Sequence, residues 1–336
     1  MTDGIEVTGI IGQSPAIRGV RERVERVAPL ALPVLIEGPT GSGKELVARA
    51  LHLLSGRRGR FVAVNVCAIA EAMFEATLFG HVRGAFTGAV GDAAGYLAEA
   101  DGGTLFLDEI SGLSPAMQAK LLRALETREF RPVGARRDQR SEFRVVAATN
   151  EPMHRLVAGG RFRADLAHRL DGVSIDVPAL AARLDDVPDL ARHFATSASA
   201  ASALSPDALE RLQRHDWPGN VRELKYVVER VVALAPADIV SAADVEAHLR
   251  HSPALPGSEA SRETDRGELL ALLAGCGWDT SEVARRLGLH RATVYRRMER
   301  LGITRPPRAA PPPGRTGGPH PPPPAARWPR QLDDAR

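Results

Sequence analysis

The sequence predicts an α/β protein: a doubly wound parallel sheet with a small helical lid, followed by an all-α helix-turn-helix domain and a disordered Pro-rich tail. Short β-rich runs alternate with helical patterns, the pattern turns wholly helical from Ser205, and basic residues concentrate near the carboxyl end. Apolar runs such as residues 104–108 lack period-two alternation, which is typical of strands buried on both faces of a parallel sheet. Strands that alternate with helices form right-handed crossovers and therefore a doubly wound sheet.

Each element follows from a local pattern. The α/β part is expected to span residues 1–178 and the lid residues 179–250. Because they carry short β-branched or aromatic runs, strands are predicted at residues 34–37, 61–65, 104–108, 143–148 and 173–177. Apolar residues at helical spacing predict helices at 16–27, 45–54, 115–126 and 190–199 and, further into the lid, at 206–215, 219–235 and 241–250.

Composition excludes several classes of protein. The 336 residues are 44% hydrophobic and 25% charged, as in ordinary globular domains. The amino end has no secretory signal, and the longest near-apolar run, residues 27–36, contains two prolines and is shorter than the roughly 20 residues of a membrane helix. Cys67 and Cys276 lie far apart in the sequence and form no ligand pair. We therefore expect a soluble cytoplasmic protein with no membrane partner.

Charge is distributed unevenly along the chain. The net charge is +3, yet residues 1–261 alone sum to −3. Residues 262–305 contain nine Arg against six Asp and Glu, and residues 306–336 contain five Arg against two Asp. Such a basic end indicates contact with nucleic acid. Residues 251–264 lack apolar periodicity and are expected to be a linker, and the Pro-rich tail 306–336 has too few apolar residues to pack a core.

Residues 265–305 have the pattern of a helix-turn-helix domain. Leucines mark a first helix, Thr280 is expected to cap a second, and Gly288 precedes a third at residues 290–301. The last 21 residues of this segment contain seven Arg and one Glu, which would neutralise DNA phosphates, and the alternative is a purely structural three-helix bundle. The buried stripe is predicted to be Val283, Leu287, Val294 and Met298. The residues predicted to contact double-stranded DNA are Arg291, Ala292, Thr293, Tyr295, Arg296 and Arg297.

A phosphate-binding loop is indicated between the first strand and the next helix. The pattern Gly38-x-x-x-x-Gly43-Lys44 stands in the strand–turn–helix context that distinguishes such a loop from a plain glycine-rich turn. Glycines allow backbone N–H groups to face a phosphate, the helix N-terminus adds positive charge, and the lysine reaches the β- and γ-oxygens. Lysine is rare here, three of 44 basic residues, so its presence at this position favours the functional interpretation. The ATP-binding residues predicted in this stretch are Gly38, Pro39, Thr40, Gly41, Ser42, Gly43, Lys44 and Glu45.

An acidic pair ends the third predicted strand. Asp108 and Glu109 follow the buried run 104–107 at the distance from the phosphate loop that a βαβ unit gives. An aspartate there can hold Mg²⁺ through water, and the adjacent glutamate can orient or deprotonate the attacking water. Two solvated carboxylates are the alternative. We therefore predict ATP and Mg²⁺ as cofactors, with Asp108 and Glu109 at the metal and Glu109 also catalytic.

The most unusual stretch is "GAFTGA" at residues 84–89, which is too rich in glycine for a helix or strand interior and too apolar for an ordinary surface turn. Its wider context "LFGHVRGAFTGA", together with "FVAVN", "VVAATN", "GRFRADLAHRL" and "WPGNVRELK", resembles the AAA+ activators of sigma-54 RNA polymerase, also called bacterial enhancer-binding proteins. The resemblance covers about residues 11–235. It resumes at residues 268–303, which resemble the Fis-type DNA-binding domain common in this family.

The resemblance implies a role for each motif. Asn65 would restrain the catalytic glutamate until the γ-phosphate is sensed, and Asn150 and Arg222 would be two sensors that complete the ATP site. Arg163 and Arg169 would act on the ATP of the neighbouring subunit. Glycines on both sides would let the surface loop rise and fold back as ATP turns over. The residues implied to contact sigma-54 are Gly84, Ala85, Phe86, Thr87, Gly88 and Ala89.

The implied function is that of an ATP-driven homo-oligomer, a ring of six or seven subunits, which binds enhancer DNA and remodels the sigma-54 RNA polymerase holoenzyme from a closed to an open promoter complex. About ten residues precede Ile11, too few for a receiver or ligand-sensing domain, so we expect control by a regulatory protein in trans that binds the ATPase ring, or control through the expression level. The chain departs from the family pattern at Pro39, Ala98 and Ala181, none of which is a phosphate or Mg²⁺ ligand.

Two other functions are compatible with parts of this pattern. One is a DNA-binding regulator of other promoters whose AAA+ domain senses nucleotide without coupling to a polymerase. The complete sequence at residues 84–89 argues against it, because such relatives usually lack this loop. The other is an AAA+ remodeller of another protein, such as a clamp loader or chaperone, which would not need the basic helix-turn-helix.

Overall fold

The described residues divide into two compact units, one up to Ser261 and one from Arg262, and each is described by itself. Within the described part of the chain, no helix is long and apolar enough to cross a membrane. The residues that this computed structural model describes are 9–199, 203–235, 239–249, 259–287, 294, 298 and 301–304.

A five-stranded parallel sheet forms the centre of the first unit. The strands of this unit are β1 Val34–Glu37, β2 Phe61–Asn65, β3 Gly80–His81, β4 Ala93–Ala94, β5 Thr104–Asp108, β6 Glu129–Phe130, β7 Gln139–Arg140, β8 Arg144–Thr149, β9 Val173–Asp176, β10 Ala203–Leu204 and β11 Ile239–Val240. The order across the sheet is β2-β5-β8-β1-β9. The ends of β1, β2 and β5 are those predicted, and β8 and β9 differ from their predictions by one residue.

Helices cover both faces of this sheet and build the lid. They are α1 Pro15–Val27, α2 Lys44–Leu54, α3 Phe74–Phe79, α4 Tyr96–Glu99, α5 Pro115–Thr127, α6 Met153–Ala158, α7 Ala164–Leu170, α8 Val187–Ala198, α9 Pro206–Gln213, α10 Asn220–Leu234 and α11 Ala242–Leu249. The long helices lie where the apolar spacing predicts them. The oxygen of Ser14 caps α1 and that of Ser114 caps α5, and each is followed by proline at the first helical position, which favours a sharp start.

Alternate side chains of the strands point into two separate cores. Val34 and Ile36 pack with α1 and α2 on one face. Leu35, Leu105 and Leu107 pack with α5 and α7 on the other. Because strand residues alternate between faces, an apolar side chain at every position requires cover on both sides. This arrangement confirms the predicted doubly wound α/β core.

The lid is a bundle of α8 to α11 with its own apolar core. Trp217 is fully buried there, and its indole N–H donates to the carbonyl of Leu212 at 2.9 Å. The 3-10 segment Leu180–Asp186 connects the sheet to α8, and β10 pairs with β11 in a short parallel ladder. The predicted helical lid is therefore confirmed.

Helix α12 Glu259–Gly275 begins just before the boundary and continues into the second unit, which also contains α13 Thr280–Leu287. Helix α12 begins inside the predicted linker 251–264, where Glu and Arg are good helix formers. The predicted cap of α13 is wrong, since the carboxylate of Asp279, rather than Thr280, accepts the backbone N–H of Ser281 at 2.8 Å.

The apolar core of the second unit brings together residues from all three predicted helices. Val283, Val294 and Met298 are buried in it with Leu269 and Leu273, as expected for the packed stripe of a helix-turn-helix. The six residues predicted to contact DNA lie outside the described residues: Arg291, Ala292, Thr293, Tyr295, Arg296 and Arg297.

Candidate nucleotide site

The phosphate loop, residues 38–43, turns between β1 and α2 with three glycines at positive φ. The backbone φ angles of Gly38, Gly41 and Gly43 are 156°, 77° and 106°. Residues other than glycine rarely adopt such values. A Cβ placed on Gly43 would meet no atom within 4 Å, so open space lies beside the loop where α2 begins. Backbone N–H groups at a helix N-terminus next to open space fit a bound phosphate.

Lys44 lies over the loop rather than in solvent. Its Nζ donates to the carbonyls of Gly38 at 2.8 Å and Pro39 at 3.2 Å. Burial lowers the pKa of Lys44, while the carboxylates of Asp108 and Glu109 oppose that shift. Both carboxylates are therefore close enough to the ammonium to share one electrostatic environment with it.

The residues present fit a magnesium nucleotide. Among the described residues no group of three or more His, Cys, Asp or Glu side chains is arranged to hold a metal by itself. Mg²⁺ is commonly bound by one or two carboxylates together with substrate phosphates and water. Asp108, at the end of β5, supplies such a carboxylate; burial raises its pKa and the Lys44 ammonium opposes that shift.

Asn65 and Glu109 are brought together, as the resemblance implies. The parallel register pairs Asn65 of β2 with Asp108 of β5, and the Asn65 Nδ2 donates to Glu109 Oε2 at 3.0 Å. Glu109 itself has φ of 58°, a left-handed conformation that costs free energy for a residue with a side chain. Strain of this kind is common where a carboxylate must be aimed. The amide thus occupies one oxygen of the glutamate in this structure.

Asn150, just after β8, bridges two parts of the site. Its Nδ2 lies 3.4 Å from the hydroxyl oxygen of Thr40 in the phosphate loop. Its Oδ1 accepts the hydroxyl of Ser111, which follows Glu109, at 3.2 Å. A side chain that touches both the phosphate loop and the turn after the acidic pair has the placement expected of a sensor.

The lid closes on the same loop through α10. The backbone N–H of Arg222 donates to the carbonyl of Gly41 at 3.2 Å. Its positive charge contributes to lowering the pKa of Lys44, so the guanidinium lies near the site from the lid side. Its role as a second sensor stays a prediction. Glu45, at the start of α2, pairs with Arg49 at 2.7 Å, and its charge contributes to raising the pKa of Asp108.

Arg163 and Arg169 lie on the surface around α7. Arg163 pairs with Asp165, with 2.7 Å between Nη2 and Oδ2, and Arg169 donates to the carbonyl of Leu125 at 3.1 Å. Both side chains are exposed. Both guanidinium groups thus lie at the surface but are engaged within the subunit, and their action in trans stays a prediction.

The 84–89 loop rises from the antiparallel pair β3–β4. Gly84 N–H donates to the Ala89 carbonyl at 2.9 Å and Ala89 N–H to the Phe86 carbonyl at 3.0 Å, which close the loop on itself. The ring of Phe86 packs against that of His81 with 5.0 Å between centroids, whereas Thr87 is exposed at the tip. In this conformation the Thr87 hydroxyl group is therefore exposed to solvent, whereas the Phe86 ring packs against the protein.

Several functional contacts escape sequence reasoning. Val90, directly after the loop, is 85% exposed, so a bare apolar side chain extends the surface beyond residue 89. Gly134, between β6 and β7, approaches so closely that an added Cβ would lie 3.0 Å from Ala85 Cβ. Arg183 and Asn220 of the lid touch the phosphate loop. Of these residues, only Asn220 lies in a motif, "WPGN", that could have indicated its role from the sequence.

Comparison with protein families divides the chain into three matched regions. Residues 10–176 match the sigma-54 interaction domain. Residues 181–262 match an AAA+ ATPase lid domain, and residues 261–301 match the bacterial regulatory proteins of the Fis family.

Known proteins and structures agree with these matches. The transcriptional regulatory protein ZraR of Klebsiella oxytoca is 41% identical over 304 residues, 87% of this chain and 69% of that protein. The regulator NtrC of Bradyrhizobium is 44% identical over 261 residues, 76% of this chain and 54% of that protein. Crystal structures of NtrX from Brucella abortus with ADP and with ATP superpose with TM-scores of 0.65 and 0.64 at 35% and 36% identity, and cover 90% and 87% of this chain and 72% and 69% of theirs.

A more distant structure shares only the fold. RuvB of Thermotoga maritima, a Holliday junction branch migration motor, is 18% identical with a TM-score of 0.52 over 89% of this chain and 91% of its own. Identity at this level shows a common fold and says nothing about activity. The relatives above 30% identity and the three matched regions, in contrast, identify the family. The chain belongs to the sigma-54 activator family, with a sigma-54 interaction domain, an AAA+ lid and a Fis-type helix-turn-helix.

Proposed function

We propose that this protein is an ATP-driven activator of the sigma-54 RNA polymerase holoenzyme that acts in the cytoplasm. It assembles into a homo-oligomeric ring of six or seven subunits and hydrolyses ATP at the subunit interfaces. The hydrolysis remodels the holoenzyme from the closed to the open promoter complex, while the helix-turn-helix holds the ring on double-stranded enhancer DNA.

The residues of the site divide the chemistry of hydrolysis among them. The loop glycines and Lys44 bind the phosphates, and Glu109 orients the attacking water and accepts its proton. Mg²⁺, when bound with Asp108 as a ligand through water, would neutralise charge on the β- and γ-phosphates. Partial burial raises the pKa of Asp108 and the Lys44 ammonium opposes that shift, and the positive charge of bound Mg²⁺ would oppose it further.

The observation that carries the proposal is the double role of Asn65. Its Nδ2 holds Glu109, and its Oδ1 accepts the N–H groups of Cys67 at 2.9 Å and Ala68 at 3.3 Å. Those two residues start the segment that runs through α3 to the 84–89 loop. A rotation of Asn65 away from Glu109 would therefore also release the start of that segment. This one amide connects the state of the ATP site to the loop that faces sigma-54.

Binding to sigma-54 tests the proposal directly. We expect labelled sigma-54 to bind this protein, by fluorescence anisotropy, when a non-hydrolysable ATP analogue and Mg²⁺ are present, and to bind at least about tenfold more weakly with ADP or without nucleotide. A sigma factor of the other class serves as the control and should not bind. Equal affinity for sigma-54 in all nucleotide states would contradict the proposed coupling.

Mixing two inactive variants tests the ring and the trans action of Arg169. Lys44→Ala lacks a working phosphate loop but still offers Arg169, and Arg169→Ala has the reverse defect. Each variant alone should lose ATPase activity by about 10³-fold. Lys44 binds the phosphates, and an arginine at the γ-phosphate stabilises transition-state charge. An equal mixture should recover about a quarter of the wild-type rate, the fraction of interfaces with both parts intact. No recovery on mixing would contradict action across an interface.

A further inference from the structure

Three consecutive carbonyls of the phosphate loop are held by the lid. The carbonyl of Thr40 accepts Asn220 Nδ2 at 3.0 Å, and that of Gly41 accepts the backbone N–H of Arg222 at 3.2 Å. The carbonyl of Ser42 accepts Nη2 of Arg183 at 3.0 Å. The lid donors come from two separate segments, so the loop is held at both of its sides.

Holding these carbonyls determines where the loop's N–H groups point. In a trans peptide the C=O and the following N–H point in opposite directions. With the Thr40 and Ser42 carbonyls turned to lid donors, the N–H groups of Gly41 and Gly43 turn away from those donors. Within the described part of the chain, neither of these two N–H groups donates to a protein acceptor. They are therefore oriented and free to bind an anion.

The Asn220 side chain and the segment that carries Arg183 are both anchored to other parts of the first unit. Asn220 is buried in a left-handed conformation, φ 56°, and its Oδ1 accepts the N–H of Leu180 at 2.8 Å. Arg183 is 4% exposed in the segment that also carries Asp186. Asp186 accepts the N–H groups of Gln13 and Ser14, both at 2.7 Å, which ties this segment to the start of α1.

The contact between loop and lid leaves no space for adjustment. A Cβ placed on Gly41 would lie 2.4 Å from the carbonyl oxygen of Gly219 and 3.1 Å from Arg222 Cβ. The lid backbone therefore rests directly on the loop. A shift of the lid would move the carbonyls of the loop with it.

We propose that Asn220 and Arg183 are positioning residues that hold the phosphate loop in its phosphate-binding conformation from the lid. Neither needs to touch the nucleotide, since each acts through a carbonyl of the loop. The proposal rests on the nucleotide-binding part of the proposed function, and it adds that nucleotide affinity depends on lid contacts beyond Arg222. A lid displaced by a neighbouring subunit would lower that affinity without any change in the loop sequence.

Titration of ADP by calorimetry, with the full chain and Mg²⁺, tests this proposal without hydrolysis. Asn220→Gly keeps the left-handed backbone and removes the amide, and we expect the Kd for ADP to rise about 5-fold. Arg183→Met keeps most of the side-chain volume and removes the charged donor, and the Kd should rise about 10-fold or more. Arg183→Lys, which keeps a cationic donor, should recover part of that loss.

A double variant and a matched control separate positioning from general stability. Because both residues hold one loop, Asn220→Gly with Arg183→Met should raise the Kd by less than the product of the single effects. Arg211→Met is the control, since Arg211 pairs with Glu246 at 2.5 Å inside the lid. It should lower the Tm and leave the Kd for ADP unchanged.

Kd values within about twofold of wild type for the folded single variants, or an equal loss in Arg211→Met, would overturn the proposal. Either result would leave the proposed function standing. Conversely, the expected Kd pattern in a protein that opens no sigma-54 promoter would contradict the proposed function and support the positioning of the loop.

Discussion

Glu109→Gln is expected to lower the rate of ATP hydrolysis by about 10³-fold while the Kd for ATP stays within about twofold of wild type. The amide keeps the shape of the side chain and still accepts a hydrogen bond from Asn65, whose Nδ2 lies 3.0 Å from Glu109 Oε2. It cannot take a proton from water at neutral pH. Binding is preserved because the phosphates are held by the loop and Lys44 rather than by this carboxylate.

Steady-state ATPase assays and calorimetry together check this expectation. Glu126→Gln, the same chemical change at an exposed position of α5, is the matched control and should hydrolyse ATP at the wild-type rate. Hydrolysis by Glu109→Gln within about tenfold of wild type would mean that another group activates the water. The assignment of the acidic pair would then be wrong.

Thr87→Ala is expected to abolish promoter opening and to leave ATP hydrolysis within about twofold of wild type. Thr87 is exposed at the tip of the 84–89 loop, and Gly84 and Gly88 on either side of it have φ of 78° and 103°. Loss of one hydroxyl there does not disturb the nucleotide site. It removes a contact at the centre of the surface that we assign to sigma-54.

The readouts for this variant are the ATPase rate and the fraction of open promoter measured in the same preparation. Thr196→Ala serves as the control, because Thr196 is an exposed threonine of α8 and belongs to the lid. Normal opening by Thr87→Ala would show that the loop does not deliver the hydrolysis energy through this residue. Loss of both activities would show that the loop is needed for the ATP site itself.

The central sheet is predictable because burial on both faces leaves a strong pattern. Within Thr104–Asp108, the three central residues 105–107 are all apolar and fully buried, as expected of a strand covered on two sides. The phosphate loop and the acidic pair are predictable because each follows a strand that the sequence itself predicts: the loop comes directly after β1, and the acidic pair stands at the end of β5. The resemblance added Asn65, whose contact with Glu109 joins residues 44 apart in sequence.

The remaining contacts depend on the approach of distant segments. Asn220 meets Thr40 across 180 residues and Arg183 meets Ser42 across 141, and no local pattern encodes such pairs. The hairpins β3–β4 and β6–β7 have strands of two residues, too short for any periodicity. The sequence does not distinguish Thr280 from Asp279 as the cap of α13, because Thr, like Asp, is a favoured cap.

The central claim is that ATP hydrolysis by this protein opens a sigma-54 promoter. Permanganate reactivity of promoter thymines on supercoiled DNA, with sigma-54 holoenzyme and this protein at high concentration, measures strand opening directly. Opening with ATP and Mg²⁺, and none with ADP or with Glu109→Gln, is the result we predict. Hydrolysis of ATP by the wild-type protein without any opening of the promoter would contradict the claim.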